Sequence, residues 1–311
     1  MVARLSGGRK HKPLVHGSHA ASQCDVHHAL RPYFRSPRIR HNREMTKIKP
    51  TAHDFIEWVD EIDSTNSELL RRVAAGTAHA PQALVAARQT HGRGRAGRRW
   101  ISPGKLQNSE NLCLSVLIDV AVPLAELAPL TLALGVAARR VLPQIRLKWP
   151  NDLFLDGKKL GGILVEVAKS SPTSCTVVAG IGINLRMPQT IEIAQINGVD
   201  PAFTDLVFTD LSSHGLFVSA HNLAPLIVTQ FLAAANDYAA RRLTNFFAEW
   251  RDADALAGRA LIVSDDPGCD DPNTHWRGLG ISTRGGLLIG FGDQVRELVA
   301  GEVRVRVTAN A

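Results

Sequence analysis

Cysteine is scarce and dispersed in this 311-residue chain. Cys24, Cys113, Cys175 and Cys269 form no CxxC pair and stand at no Cys/His ligand spacing, which argues against a disulfide framework and a zinc site and fits a reducing cytoplasm. No apolar run approaches the roughly 18 residues of a membrane-spanning helix. A Walker A pattern and an internal repeat are missing as well. Acidic residues are nearly absent from one end: residues 1–50 hold eleven Lys/Arg against Asp25 and Glu44, so that end carries +9 of a net +7 and the rest carries −2. A hydrophobic fraction of 45% with 21% charge excludes wholesale disorder. The length is about twice the roughly 150 residues of one domain.

The first fifty residues read as a basic, disordered tail. They lack the apolar core of a secretory signal and the amphipathic pattern of a transit peptide. Met45, directly before the first periodic sequence, is an alternative start. From Phe55 the pattern changes, giving an α+β domain over 51–257 and a β module over 258–311. Thr65 with Glu68 three residues on predicts a capped helix that stops at Gly76. Helices are expected over Leu124–Leu142 and Leu223–Trp250. Strands are expected at Ala83–Ala87, Asn111–Ile118, Ile145–Trp149 and Thr176–Leu185, with a hairpin turning on Asp156-Gly157. Short β runs at 278–282, 286–289 and 303–307 have the spacing of a small barrel.

His91-Gly92-Arg93-Gly94-Arg95-Ala96-Gly97-Arg98-Arg99-Trp100 is the most unusual stretch. Gly92, Gly94 and Gly97 satisfy GxGxxG, but no helix follows as a dinucleotide fold requires: Arg98, Arg99, Trp100 and Pro103-Gly104 continue as loop. A solvated basic loop or a nucleic-acid contact is the bland reading. The composition also suits an anion: glycine backbone exposes N–H groups, and guanidinium forks bind phosphate or carboxylate. Like charges in such a loop repel, so an anion should order it and closure should strengthen the grip.

Ser64-Thr65-Asn66, Gln89 before the Arg/Gly loop, Lys148-Trp149-Pro150-Asn151-Asp152, Lys159-Leu160-Gly161-Gly162-Ile163-Leu164-Val165-Glu166 and Gly180-Ile181-Gly182-Ile183-Asn184, in that order, resemble the biotin protein ligases. The resemblance covers residues 60 to 185 closely, continues weakly to the C-terminus and leaves out residues 1–50. It implies a mixed-sheet catalytic domain of the biotin ligase/lipoate ligase type over 51–257 and an SH3-like β-barrel over 258–311. The implied enzyme activates biotin with ATP to biotinyl-5′-AMP and passes biotin to a lysine of a biotin carboxyl carrier domain of a carboxylase.

By this resemblance Ser64, Thr65, Asn66 and Gln89 would bind the biotin head through hydroxyl and amide groups. For Ser64 and Thr65 helix capping alone is the plain alternative. Gly92, Arg93, Gly94 and Arg95 would close over biotin and its activated carboxyl, with Arg98 toward the phosphates. Lys159 would contact carboxylate and α-phosphate, while Lys158 is solvated. Gly161 and Gly162 would leave room for the biotin tail, or serve strand packing. Asn151 and Asp152 would lie near the nucleotide, Asp152 orienting the incoming amine or magnesium, against the plain reading of an Asx turn. Gly182 and Asn184 would face ribose or phosphate. Arg306 would reach in from the barrel. Trp100, within the loop motif, and Trp149 are expected as packing anchors.

Catalysis by arginine 95, Lys159 and Asp152 would be positioning and charge neutralisation, with no nucleophilic side chain. Mg2+ is implied with ATP, without protein metal ligands. The family's adenine-stacking tryptophan has no counterpart between Trp149 and Trp250, and Phe203 is the substitute. A cytoplasmic enzyme without membrane or specific DNA partner follows, with a homodimer left open. Residues 1–50 are too short for a winged helix, so the resemblance is to the monofunctional type; nonspecific DNA attraction by the basic tail is the alternative. Lipoate ligases share the fold but lack the Arg/Gly loop. Octanoyl transferases need a catalytic cysteine, whereas Cys113 and Cys175 read as buried strand residues.

Overall fold

The computed structural model describes residues 55–102, 110–187, 208–264 and 275–299, and the backbone of 304–307. The tail with its Met45 alternative, and Phe203, lie outside the described residues.

Seven strands build the main sheet: β1 (Ile56–Ile62), β2 (Gln82–Gln89), β3 (Glu110–Val120), β4 (Arg146–Lys148), β5 (Asp152–Leu155), β6 (Lys158–Ser170) and β7 (Cys175–Arg186). Their spatial order is β1-β2-β3-β7-β6-β5-β4. Only β1 and β2 run parallel, joined by the crossover helix α1 (Thr65–Ala74). The β5–β6 hairpin turns where the sequence predicts, with Asp156 and Gly157 both at positive φ, 47° and 73°.

Both faces of the sheet centre are covered, so β3 is buried nearly end to end. Leu112, Leu114, Val116 and Ile118 join the large core under α2 (Leu130–Val141) and α3 (Ala220–Arg241). Alternate residues point the other way, where Leu69 and Val73 of α1 pack on Leu84, Leu117 and Val178. This second core is small. The tip of α1 reaches Ser115, and below it the sheet face carries glycines and polar groups.

Two expected helices are shorter than their periodicity. Over Leu124–Leu142 the chain makes a 3-10 turn at Leu124–Glu126 and enters α2 after Pro129, whose fixed φ suits a helix start. Leu223–Trp250 divides into α3, starting earlier at Ala220, and α4 (Phe247–Ala253), with a break at Arg242, φ 53°. Strand β1 was not anticipated, because its Glu57, Asp60 and Glu61 dilute the apolar pattern.

The C-terminal module is an antiparallel, SH3-like sheet of β8 (Ala260–Ser264), β9 (Trp276–Ile281), β10 (Leu287–Phe291), β11 (Gln294–Leu298) and β12 (Arg304–Val307), ordered β11-β10-β9-β8-β12. Sequence reading missed β8 and β11. The module packs on the main domain: Trp149 Nε1 donates to Gly285 O at 3.0 Å, and the module's Leu261 and Leu287 belong to the large core. Trp149 is thus the anchor its size suggests.

Candidate active site

Cross-strand register lays out the site as rows on the α1 face. In one row Ser115, Gly180 and Leu164 stand side by side; in the next, Cys113, Gly182, Gly162 and Asp152. Gly180 and Gly182 are required by what lies above them. A Cβ on Gly180 would meet Asn66 Oδ1 at 2.2 Å, and one on Gly182 would meet the Trp100 ring at 2.6 Å. The bare backbone seats a polar amide on the first row and an indole on the second. Gly161 faces away from these contacts, and its missing Cβ makes room for Gly182 O, which would stand 2.1 Å off. Beside Gly162 are Asp152 Oδ1 and Asn151 O.

Three residues at the start of α1 divide the work that the sequence left ambiguous. Ser64, not Thr65, is the N-cap, accepting from Ser67 N at 3.4 Å. Glu68 does not reach back as a capping box would; Arg71 and Arg72 hold it. Thr65 is released from capping because Gln89 takes it: Gln89 Oε1 accepts from Thr65 N at 2.8 Å and Thr65 Oγ1 at 3.1 Å. Ser115, a residue sequence reading missed, donates to Asn66 Oδ1 at 2.5 Å and lies 2.6 Å from Thr65 Oγ1. Asn66 Nδ2 then donates to Leu164 O at 3.3 Å and Glu166 Oε2 at 2.8 Å. The result is a buried chain of neutral hydroxyls and amides ending on one carboxylate. Ser115 had no signal in the sequence beyond being the polar residue in an apolar strand.

The Arg/Gly stretch folds as a tight antiparallel loop. Arg93 pairs with Arg99, Trp100 N donates to Gly92 O at 2.9 Å and Gly94 N to Arg98 O at 2.7 Å. The tip turns through Ala96 and Gly97, at φ 52° and 71°. Gly92 must be glycine, since a Cβ would lie 2.5 Å from Trp100 O. Arg93 Nη2 reaches both oxygens of Glu166, at 2.6 and 2.5 Å. Arg98 Nε donates to Arg95 O at 3.2 Å. Burial and then the charge of Arg98 lower the pKa of Arg95, with Asp152 opposing; a guanidinium remains charged at neutral pH all the same.

Asp152 faces Lys159 across the β5–β6 hairpin, Lys159 Nζ donating to Asp152 Oδ1 at 2.5 Å, with side chains only 13% and 15% exposed. Lys158, one residue earlier, is exposed. Asn151 is turned to the backbone, donating from Nδ2 to Ile163 O at 2.9 Å. Asn184 continues the polar strip: Asn111 Nδ2 donates to its Oδ1 and its Nδ2 donates to Thr209 O, each at 3.0 Å. Asn111 is a second polar group unmarked in the sequence. Arg306 falls on β12, opposite Ile262, at the edge of the C-terminal sheet. Cys113 and Cys175 are buried thiols; burial raises Cys113, which keeps it protonated and inert, and its Sγ donates to Ser102 Oγ at 3.4 Å. Among the described residues no three His, Cys, Asp or Glu cluster as a metal site.

Between loop and sheet lies a cavity of about 720 Å³, walled by residues 91–99 and Ile163–Glu166, with Ala128 and Thr131. Pockets of roughly 300–1,000 Å³ hold small ligands. One wall is cationic, the other a strand segment of three apolar residues, Ile163, Leu164 and Val165, ending in Glu166.

The Biotin/lipoate A/B protein ligase family matches residues 58–184, which contain every group just described up to Asn184. The bifunctional ligase/repressor BirA of Escherichia coli K12 is 30% identical over 252 residues, covering 79% of this chain and 72% of that protein. A biotin–[acetyl-CoA-carboxylase] ligase of Mycobacterium tuberculosis is 38% identical over 147 residues, 44% of this chain and 52% of that one. The structure of biotin protein ligase from Aquifex aeolicus in complex with biotin and ATP superposes with a TM-score of 0.63 at 24% identity, covering 81% of this chain and 99% of that chain, and shows the shared fold. The chain belongs to the Biotin/lipoate A/B protein ligase family, on its biotin protein ligase side, and is a ligase.

Proposed function

We propose that the chain condenses biotin with ATP to biotinyl-5′-AMP, releasing pyrophosphate, and then transfers the biotinyl group to one lysine of a biotin carboxyl carrier domain of a carboxylase. The juxtaposition that carries this reading is a neutral hydroxyl–amide pocket, suited to a ureido ring, beside the part-buried Lys159–Asp152 pair and the arginine loop. Biotin has that dual character, a neutral polar head and an anionic tail.

In this reading Thr65, Asn66 and Gln89, braced by Ser64 and Ser115, receive the head group. The chain Ser115–Asn66–Glu166 fixes which end of the Asn66 amide donates and which accepts, so the pocket is oriented before ligand arrives. Gly162 and Gly182 keep the strand rows low along the tail. Lys159 offsets charge as the biotin carboxylate oxygen attacks the α-phosphorus and pyrophosphate leaves. Asp152 holds the Lys159 ammonium in place before reaction. In the second step the acceptor lysine attacks the acyl carbon as a neutral amine and AMP departs. Gly92, Arg93, Gly94, Arg95 and Arg98 form the cover that shields the mixed anhydride from water. Magnesium enters with ATP, since divalent ions on phosphates need few protein ligands. Asn151 acts on the nucleotide side by holding the β6 backbone, and Asn184 by presenting its amide strip. Arg306 is assigned to the nucleotide side from the resemblance alone.

The test is biotin-dependent exchange of labelled pyrophosphate into ATP. Exchange that requires biotin supports the reading; none with any biotin concentration, in folded protein, overturns it.

A further inference from the structure

Arg93, at the neck of the loop, is bound to Glu166 of β6 through both carboxylate oxygens, at 2.6 and 2.5 Å. Glu166 occupies the row above Ser115–Gly180–Leu164, opposite Val178, where the bare slot ends and the α1 packing begins. Its Oε2 also takes the Asn66 amide at 2.8 Å. One carboxylate therefore holds the loop on one side and a head-group residue on the other.

We propose that Glu166 is the positioning residue that docks the arginine loop. Arg93 serves as the loop's anchor to β6, and Arg95 is left as the charge that meets the activated carboxyl. Because Asn66 and Arg93 share Glu166, undocking the loop withdraws the partner that orients Asn66, and loss of Asn66 orientation weakens the dock. Head-group recognition and loop closure are thereby one coupled event. The assignment of ligand rests on the function proposed above; the dock itself is a property of the protein alone.

The decisive measurement uses the full chain without ligand: the rate of tryptic cleavage within residues 95–99, followed by mass spectrometry. Glu166→Gln keeps size and hydrogen-bonding capacity but removes the charge, and should speed cleavage about tenfold, as should Arg93→Gln, in keeping with the strength of charge-assisted hydrogen bonds. The double variant should be no faster than either single one, and the exchanged pair Arg93→Glu with Glu166→Arg should restore protection. Release of pre-formed biotinyl-5′-AMP should follow the same order, and the KM for biotin should rise more than kcat falls. Wild-type cleavage rates in Glu166→Gln, additive effects in the double variant, or no rescue by the exchanged pair would each overturn the proposal. Arg93→Gln lies on a surface loop and gives a folded test if the strand variant misfolds. Failure of biotin-dependent pyrophosphate exchange would instead overturn the ligand, leaving the cleavage result to decide the dock.

Discussion

The head-group pocket and the arginine loop meet at Glu166, yet they are built in opposite ways. The pocket is neutral, with Thr65, Asn66 and Ser115 at 3%, 4% and 0% exposure, and each group's orientation is dictated by the next. Its frame is three strands in register, and its shape comes from side chains that are missing. The loop is exposed, carries four guanidiniums, and turns through two left-handed residues. Few bonds brace it. The contrast teaches how one site can treat two ends of a ligand. Neutral recognition depends on fixed geometry and low dielectric, so it is preorganised; recognition of charge gains by excluding water, so it is deferred to a part that can close.

This contrast can be broken from either side. The largest effect is expected at Lys159, whose ammonium has no substitute on the sheet side: Lys159→Ala should lower pyrophosphate exchange about 10²- to 10³-fold, the usual scale for a removed transition-state charge contact. Arg95→Gly should leave exchange measurable but release the adenylate roughly 10- to 100-fold faster, the scale of a charge-assisted hydrogen bond. Bystander lysines on an added protein should then become biotinylated, scored by blotting. Retention equal to wild type would show that the loop tip does not guard the intermediate.

Ser115→Ala tests the pocket. It leaves Asn66 Oδ1 without its donor, a loss of about 1–3 kcal/mol, so the KM for biotin should rise about tenfold while that for ATP stays put. Gly180→Ala should reproduce this defect without deleting any polar group, because its Cβ would collide with the same oxygen. Equal changes in both KM values would argue that the pocket serves the nucleotide as well.

The smallest effect lies outside the site. Arg71 holds Asp63 down to about 2, helped by Ser64 N against burial, and Arg72 holds Glu57 and Glu68 below the usual carboxylate range. Folded values below the unfolded ones, near 4, mean that this stabilisation is present above about pH 4 and is lost as pH falls toward 2. The Asp63–Arg71 pair is exposed, so its share is under about 1 kcal/mol. The gap between wild type and Arg71→Gln in thermal melts should narrow from pH 5 to pH 2.5, as the carboxylates begin to protonate; a gap unchanged by acid would remove the ion pairs as its cause.

Local chemistry made several features readable. Asp156-Gly157 predicts its hairpin because few residues tolerate two positive φ values, and the Arg/Gly stretch stands out by composition. Other features were not readable because their cause is distant. Thr65 has every local mark of a cap, and only Gln89, 24 residues on, draws it into the pocket. Asn151 reads locally as an Asx turn, and only the fold shows its amide donating to Ile163 O, 12 residues on. Ser115 and Asn111 look like ordinary strand residues until β3 and β7 come into register. The helical periods over 124–142 and 223–250 run past the real ends, because apolar spacing records burial and not backbone continuity.

The order of residues by itself determined the family, the α+β class, the hairpin turn and the list of groups able to bind an anion or a neutral polar ring. Those properties are encoded in adjacent residues or in composition. Tertiary structure alone decided which hydroxyl caps and which hydrogen-bonds Gln89, why Gly180 and Gly182 must lack side chains, and that Arg93 pairs with Glu166. Each of these depends on atoms brought within hydrogen-bonding or contact range from segments tens of residues apart, and strand register sets that range.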